Sequence, residues 1–305
     1  YTGPQPTAFS LHTGDIGGLS GTDNELQVGY FDTYTEFLRQ SVIWVCIGNH
    51  ELGASGCTPY LTDFTLPSAG EAGGVPSGTE RYYSFNYGNI HAVALDSQAD
   101  ISLGGAQYTW LERDLAANRA DWLIAFWHAP PFSLTAMHNS ANESGLVQMR
   151  QNFVPLLEAN GLDLGVFGHN HLYSRTYLID GHYGTSSSFT SAMLKDGGDG
   201  RPEGSGAYYK PTLGRAPHEG AMYAVVGDAM GYWNFFPGPE GWGRSPVWGF
   251  ADVVASRAPG VQEGDRVFGY LPISTRLRVR ADRVTDHAFV DASEHRRQLP
   301  AVYQQ

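Results

Sequence analysis

The amino-acid sequence predicts an α/β architecture followed by a β-rich C-terminal segment, and three observations carry that expectation. Over residues 1–220, short apolar runs of strand length alternate with segments whose apolar residues recur at helical spacing. Beyond them the helical period stops, and extended pieces separated by Pro, Gly and Asp turns take over. The charge changes at the same place: residues 1–220 carry 22 Asp/Glu and 10 Lys/Arg, a net of −12, whereas residues 221–305 carry 9 of each kind. The chain therefore divides into residues 1–220 and 221–305. A Gly/Ser/Pro-rich passage from KDGGDGRPEGSG to LGRAPHEG precedes the change and reads as a surface loop or boundary.

Taken in order, AFSLHTGD predicts a short strand ending in a turn, TYTEFLRQ an amphipathic helix, and VIWVCIGNH a buried strand running into a loop. A glycine-rich excursion at 52–79 leads to two strands, RYYSFNYG and NIHAVALDS. AQYTWLERDLAA places Trp110, Leu111 and Leu115 at helical spacing; DWLIAFWH is a buried strand, LVQMRQNFVPLLEAN a helix, and DLGVFGHNH a strand and turn. Strands that are apolar without alternation are buried on both faces, as they are when helices cover a largely parallel sheet. In the tail, VFGYLPI, TRLRVRA and DHAFVDA are extended, with no strong helix.

The composition limits the function. A length of 305 residues allows one large domain or two modest ones. The net charge of −12 argues against a binder of nucleic-acid backbones, which needs a basic footprint, yet leaves small anions open wherever a metal reverses the local field. No apolar stretch reaches the ~20 residues of a membrane span. Cys46 and Cys57 exclude a multi-disulfide framework and a four-cysteine zinc site, and Cys46, within SVIWVCIG, reads as a buried free thiol. The chain opens without an initiator Met or a leader, as a processed or trimmed product would.

Chemistry gathers at the strand ends. Asp15 in TGD, Asn49 and His50 in GNHE, His128 in AFWHAP, and His169 and His171 in FGHNH all follow predicted strands. In an open α/β sheet, ligand sites lie beyond the carboxyl ends of the strands, so residues distant in sequence converge there. Carboxylate, amide oxygen and imidazole together suit Zn, Fe or Mn. The glycines before Asp15, Asn49 and His169 are expected to let the chain turn sharply, and an extended backbone through Asn170 would point His169 and His171 to one side. His12, His91, His182 and His218 read as non-ligands.

With TGDIGG, GNHE, WHAPP and GHNHLYSR in this order, residues 7–227 resemble the calcineurin-like metallophosphoesterases, in particular the bacterial relatives of the purple acid phosphatases. YGNIHAVALDS, QYTWLERDLAA and AMYAVVG support the likeness. The resemblance implies a four-layer sandwich of two mixed sheets flanked by helices, two divalent or trivalent metal ions, and hydrolysis of a small phosphorylated substrate. It implies that Asp15 bridges the metals, that Asn49, His128 and His169 complete one shell, and that His171 belongs to the other. The catalytic groups would be His50, contacting phosphate or assisting the leaving group, and His138, in LTAMHNS. His138 falls where the acid-phosphatase branch keeps outer-shell histidines and would hold an equatorial oxygen or protonate the leaving one. The same branch favours export to the periplasm or the extracellular space, with a cytoplasmic location as the alternative.

Two departures bear on the metal count. The family's first metal-binding Asp is expected upstream of TGDIGG and is not among the fourteen residues before Asp15, and Gly18 stands where the purple enzymes have an iron-binding Tyr. One metal site is then fully provided for and the second only through Asp15 and His171. AMYAVVGDAMG, ending in Asp228, is a candidate substitute strand. Two alternatives stand beside a phosphomonoesterase: a catalytically impaired metal-binding or structural homologue, and a phosphodiesterase or nucleotidase. From about Tyr223 the tail resembles the N-terminal region of an uncharacterised bacterial family related to medium-chain dehydrogenases and quinone reductases. It contains no GxGxxG, so no hydride transfer is expected from it.

Overall fold

The computed structural model describes residues 7–53, 56–135, 138–201, 204–226, 246–272, 276–285 and 287–293. The candidate strand end at Asp228 lies outside them. In chain order the elements are β1 (Phe9–His12), α1 (Asp23–Leu26), α2 (Thr35–Leu38), β2 (Val42–Val45), α3 (Thr58–Asp63), β3 (Tyr83–Tyr87), β4 (Ile90–Ala94), α4 (Ala106–Ala117), β5 (Trp122–Trp127), α5 (Ser144–Gln148), α6 (Val154–Ala159) and β6 (Leu164–Phe167). They continue with β7 (Tyr173–Arg175), β8 (Leu178–Ile179), β9 (Leu194–Asp196) and β10 (Met222–Val226), then β11 (Pro246–Asp252), β12 (Arg266–Pro272), β13 (Ala281–Asp282) and β14 (Val290–Asp291).

The larger sheet has the order β3-β4-β5-β6-β10-β7. β4, β5, β6 and β10 run parallel, and β3 pairs antiparallel with β4 through a tight turn at Gly88. β1 and β2 form a second, parallel pair, from Phe9↔Val42 to His12↔Val45. The pleat of β4 shows how the layers arise: Ala92 and Ala94 join one apolar core, Val93 and Leu95 the other. On the first face lie Val45 and Ile47 from β2 and its exit, with Leu26, Tyr30, Tyr60 and Phe64 beyond them. Trp44 of β2 stacks on Phe85 of β3 at 4.1 Å between ring centroids, which fixes the contact between the two sheets. On the second face, Trp110, Leu111 and Leu115 of α4 and Leu157 of α6 cover Leu123, Ala125 and Trp127. The result is the expected sandwich of helices, sheet, sheet and helices.

The helix predicted over LVQMRQNFVPLLEAN is continuous but not uniform. Pro155 has no N–H to donate, and its ring would meet the carbonyl four residues back. The turn ahead of it, Met149–Phe153, widens, and the Val154 N–H bonds back five residues to the Met149 carbonyl. Cys46 and Cys57 are buried free thiols, as Cys46 was read from its surroundings.

Two compact units emerge. The first holds residues 1–170 and 174–227, and the second residues 171–173 and 228–305. Strand β10 pairs with β6 from Met222↔Leu164 to Val225↔Phe167, so the first unit extends past the sequence-based division at 220. In the second unit the described strands form two antiparallel pairs, β11 with β12 and β13 with β14, and Arg266 holds Asp252 across the first pair. No helix among the described residues is long and apolar enough to cross a membrane.

Candidate metal centre

The centre forms where β1, β2, β5 and β6 end. β1 and β2 are neighbours in one sheet and β5 and β6 in the other, so four chain exits meet across the gap between sheets. Asp15 and His169 take positive φ values of 55° and 63°, an unfavourable conformation for residues with a side chain and one that recurs at functional sites. His169 therefore does not continue an extended backbone, and the expected alternation that would point it and His171 to one side is not what this segment adopts. Gly14 makes a sharp turn at φ 87°. Gly168 has another role: a Cβ there would stand 2.7 Å from the Thr13 carbonyl oxygen and 3.1 Å from His128 Nδ1, so glycine permits close approach of two strand exits.

His128 Nε2 is the meeting point. It lies 3.2 Å from Asp15 Oδ2, 2.9 Å from Asn49 Oδ1 and 3.1 Å from His169 Nδ1. Both tautomers are set from outside. His128 Nδ1 donates to the Thr13 carbonyl at 2.7 Å, and His169 Nε2 donates to Glu143 Oε1 at 2.8 Å. The other two nitrogens, His128 Nε2 and His169 Nδ1, face each other, and His128 Nε2 also faces the Asp15 carboxylate and the Asn49 amide oxygen, so a proton or a cation placed there satisfies all of them. Four ligands bound tetrahedrally to zinc stand about 3.3 Å from one another, so the spacing found here fits a cation. Asp15, His128 and His169 are one of three groups of side chains among the described residues with donor atoms close enough to share an ion.

The charges respond to this crowding. Burial acts to raise the Asp15 pKa, but the hydrogen bond and charge of His128, with the His50 backbone N–H, bring it down to about 2. Burial acts to lower that of His128, and the Asp15 carboxylate outweighs it, so the net shift is upward. His169 falls to about 4, through burial and the neighbouring His128 charge, with Glu143 opposing.

Other predicted residues take different places. His50 Nδ1 donates to the Leu19 carbonyl at 2.8 Å, leaving Nε2 3.8 Å from Asp15 Oδ2 at the solvent side of the centre. His138 lies against His169, with ring centroids 3.7 Å apart, and its Nδ1 is 3.2 Å from Glu143 Oε2. His171 falls in the second compact unit and belongs to none of the three groups. At Gly18, a Cβ would meet the Glu25 side chain at 2.8–2.9 Å, so Glu25, which caps α1 with Thr22, takes the space next to that position. His218 joins the third group with Glu158 and Asp180, but protein donors serve those carboxylates: the Tyr223 and Tyr183 hydroxyls, the Gly181 N–H and Lys195.

Two residues escaped the sequence reading. Glu51, the last residue of GNHE, is 1% exposed and accepts the backbone N–H groups of Asp15, Ile16 and Gly48 at 2.7–2.8 Å. It ties the exits of β1 and β2 together, and its place in the motif was the available signal. Glu143, which orients both His169 and His138, precedes α5 in a loop and has no such signal.

The family described as Calcineurin-like phosphoesterase matches residues 4–173, and one described as a protein of unknown function, DUF2855, matches residues 221–305. Purple acid phosphatase 15 of Arabidopsis thaliana is 30% identical over 226 residues, covering 71% of this chain and 41% of that protein. Purple acid phosphatase 18 of the same plant is 32% identical over 195 residues, with 59% and 42% covered. A third relative from Arabidopsis, named Probable inactive purple acid phosphatase 9, is 28% identical, with 55% and 30% covered. The chain spans about two fifths or less of the length of these relatives. Among solved structures, the purple acid phosphatase PPD1 of yellow lupin (Lupinus luteus) aligns with a TM-score of 0.49 at 20% identity, covering 72% of this chain and 36% of that one.

Proposed function

The chain belongs to the calcineurin-like phosphoesterases, a family of metal-dependent hydrolases, and from that premise we propose that it hydrolyses phosphate monoesters at a centre held by Asp15, Asn49, His128 and His169. The observation that carries this reading is the convergence of an imidazole nitrogen, a carboxylate and an amide oxygen on His128 Nε2, with both imidazoles oriented by outer partners. A bound cation of the Zn, Fe or Mn type would supply Lewis acidity toward the phosphoryl oxygens and acidify a water.

The chain's own groups do the rest. Asp15 offsets the cation's charge in a buried site, and its left-handed backbone aims the carboxylate inward. His50 is oriented by the Leu19 carbonyl, so when protonated it donates from Nε2 to a phosphoryl or leaving oxygen at the exposed side. Glu143 fixes the tautomer of His169, and His138, sharing that carboxylate, holds it in place. We assign His138 to positioning.

The test is metal analysis and p-nitrophenyl phosphate hydrolysis on the wild type and on Asp15→Asn. Loss of metal and of turnover together is expected; a variant that keeps full activity overturns the reading. A second reading, of a one-metal protein with little turnover, draws support from Glu25 beside Gly18. It predicts one bound metal per chain in the wild type with negligible hydrolysis, where the first predicts hydrolysis with one or two.

A further inference from the structure

A cavity of about 710 Å³ lies in the first compact unit, lined in part by Ser133, Leu134, Ser140 and Ala141, near His138 in sequence. That volume falls in the ~300–1,000 Å³ range of small-molecule sites. Its wall is built of rings. His182 stacks on Phe132 (5.6 Å between centroids, 14° between planes) and meets Phe189 edge-on at 5.2 Å, and Tyr223 stands edge-on to Phe132 at 4.8 Å.

The charge of the lining is unusual for this chain. Residues 1–220 hold twelve more acidic than basic residues, yet among the described residues Arg150 and Arg175 line the cavity and no Asp or Glu does. Arg150 is 2% exposed, and its hydrogen bonds go to the backbone carbonyls of Pro131, Ser140 and Tyr183. Arg175 donates to the Tyr208 hydroxyl and the Asp199 carbonyl. Neither arginine enters an ion pair among the described residues. Burial alone pulls the Arg150 pKa down, with no carboxylate acting against it. Two positive charges beside a low-dielectric wall therefore have no counter-charge among the described residues.

His182 supplies the second observation. It is 6% exposed, and its Nδ1 is buried without a hydrogen-bond partner. Buried polar atoms without partners are rare, and each costs free energy that a ligand atom can restore. Burial, followed by the Arg150 charge, lowers its pKa, so the ring is neutral and offers one N–H and one lone pair.

We propose that this cavity binds a small organic anion with an aromatic ring, its anionic group taken by the arginines and His182 and its ring stacked within the Phe132–Phe189 wall. The arginines repel a metal cation, the rings give a bare inorganic anion nothing to pack against, and an uncharged aromatic leaves the guanidinium groups uncompensated. The proposal goes beyond phosphate-ester hydrolysis and does not rest on it.

Isothermal titration calorimetry of the full chain with 1-naphthoate tests it, with 1-naphthalenemethanol as the uncharged comparator. The expectation is one naphthoate per chain, with the alcohol at least about tenfold weaker, since charge-assisted bonds are roughly twice as strong as neutral ones. Arg175→Met and His182→Phe, the second keeping a ring in the wall, should each weaken naphthoate by about tenfold. Asp15→Asn should leave naphthoate affinity unchanged, which separates this test from the one on the metal centre. Absence of binding up to millimolar naphthoate, equal affinity for the alcohol, indifference to both cavity variants, or loss in Asp15→Asn would each overturn the proposal.

Discussion

Two buried imidazole–carboxylate pairs in this chain look alike and are partnered in opposite ways. His128 lies 3.2 Å from Asp15, and His91 lies 2.8 Å from Asp114; all four side chains are at most 4% exposed. Around His91 each ring nitrogen has one partner: Nδ1 meets Asn86 Oδ1 at 2.7 Å and Nε2 meets Asp114 Oδ2. The other Asp114 oxygen accepts the Ser84 hydroxyl and the Val75 N–H, both at 2.8 Å. That network joins β3, β4 and α4 with nothing left over. Around His128 one nitrogen has three partners, all of them pure acceptors once His169 is oriented by Glu143. Burial and proximity do not separate a structural pair from a ligand pair. The number of lone pairs aimed at one point does.

The sharpest way to break this comparison is to truncate the two imidazoles in parallel. His128→Ala should abolish metal binding and lower hydrolysis by more than the ~10–100-fold typical of outer-partner changes. His91→Ala should leave metal content and activity per folded molecule intact. It strands the buried Asp114 carboxylate, so it should cost about 3 kcal/mol of stability, the range for breaking a buried pair. Elemental analysis and urea unfolding read the two outcomes. Equal metal loss in both variants would erase the distinction.

A smaller effect sharpens it on the ligand side. Glu143→Gln keeps the shape but weakens the acceptor that orients His169, and it should reduce metal affinity by about 10–100-fold. His138→Phe keeps a ring against His169 and should cost less than Glu143→Gln. Competition with a chromophoric chelator measures both. If His138→Phe costs more, His138 does more than hold its neighbour.

The difference between the pairs also explains what could be read from sequence. The strand alternation, α4 from Ala106 to Ala117, and the gathering of Asp15, Asn49, His128 and His169 at strand ends were legible, because apolar period and strand-end position are local properties. His91, read as a non-ligand, sits mid-strand in β4, where a side chain faces a core and not an exit. Less was visible wherever meaning depended on a distant partner. The Glu51 bonds span 35 and 36 positions to Ile16 and Asp15, and the Glu143–His169 bond spans 26. The expected one-sided display of His169 and His171 failed because it assumed extended backbone, and φ at His169 is set by its turn. The division at 220 falls just ahead of β10, whose pairing with β6 is a register across 58 residues, not a local change in composition.

The gentlest probe of the comparison is acid, applied to metal-free protein. His12 and His169 both have folded pKa values of about 4, against 6.5 when unperturbed, burial being the leading cause in each. Between those values the unfolded chain binds protons that the folded chain refuses. Stability should therefore fall as pH drops from 6.5 toward 4, by at most about 1.4 kcal/mol per pH unit for each group. His128 is shifted the other way, so its contribution is complete below 6.5 and is lost as pH rises through its raised folded value. Among the histidines, the slope below 6.5 thus belongs to His12, His169 and His182, whose pKa burial also lowers, and that above it to His128. Urea unfolding of the metal-free chain across this range should show both, and His169→Asn should flatten only the acid side. Added metal should steepen the acid loss further, because protons then compete for nitrogens the ion occupies. The Asp114-held imidazole of His91 has no share in that metal dependence, so His91→Ala should leave it in place. If the metal-dependent slope instead disappeared with His91, the two pairs would be coupled, and the separation between staple and ligand would fail.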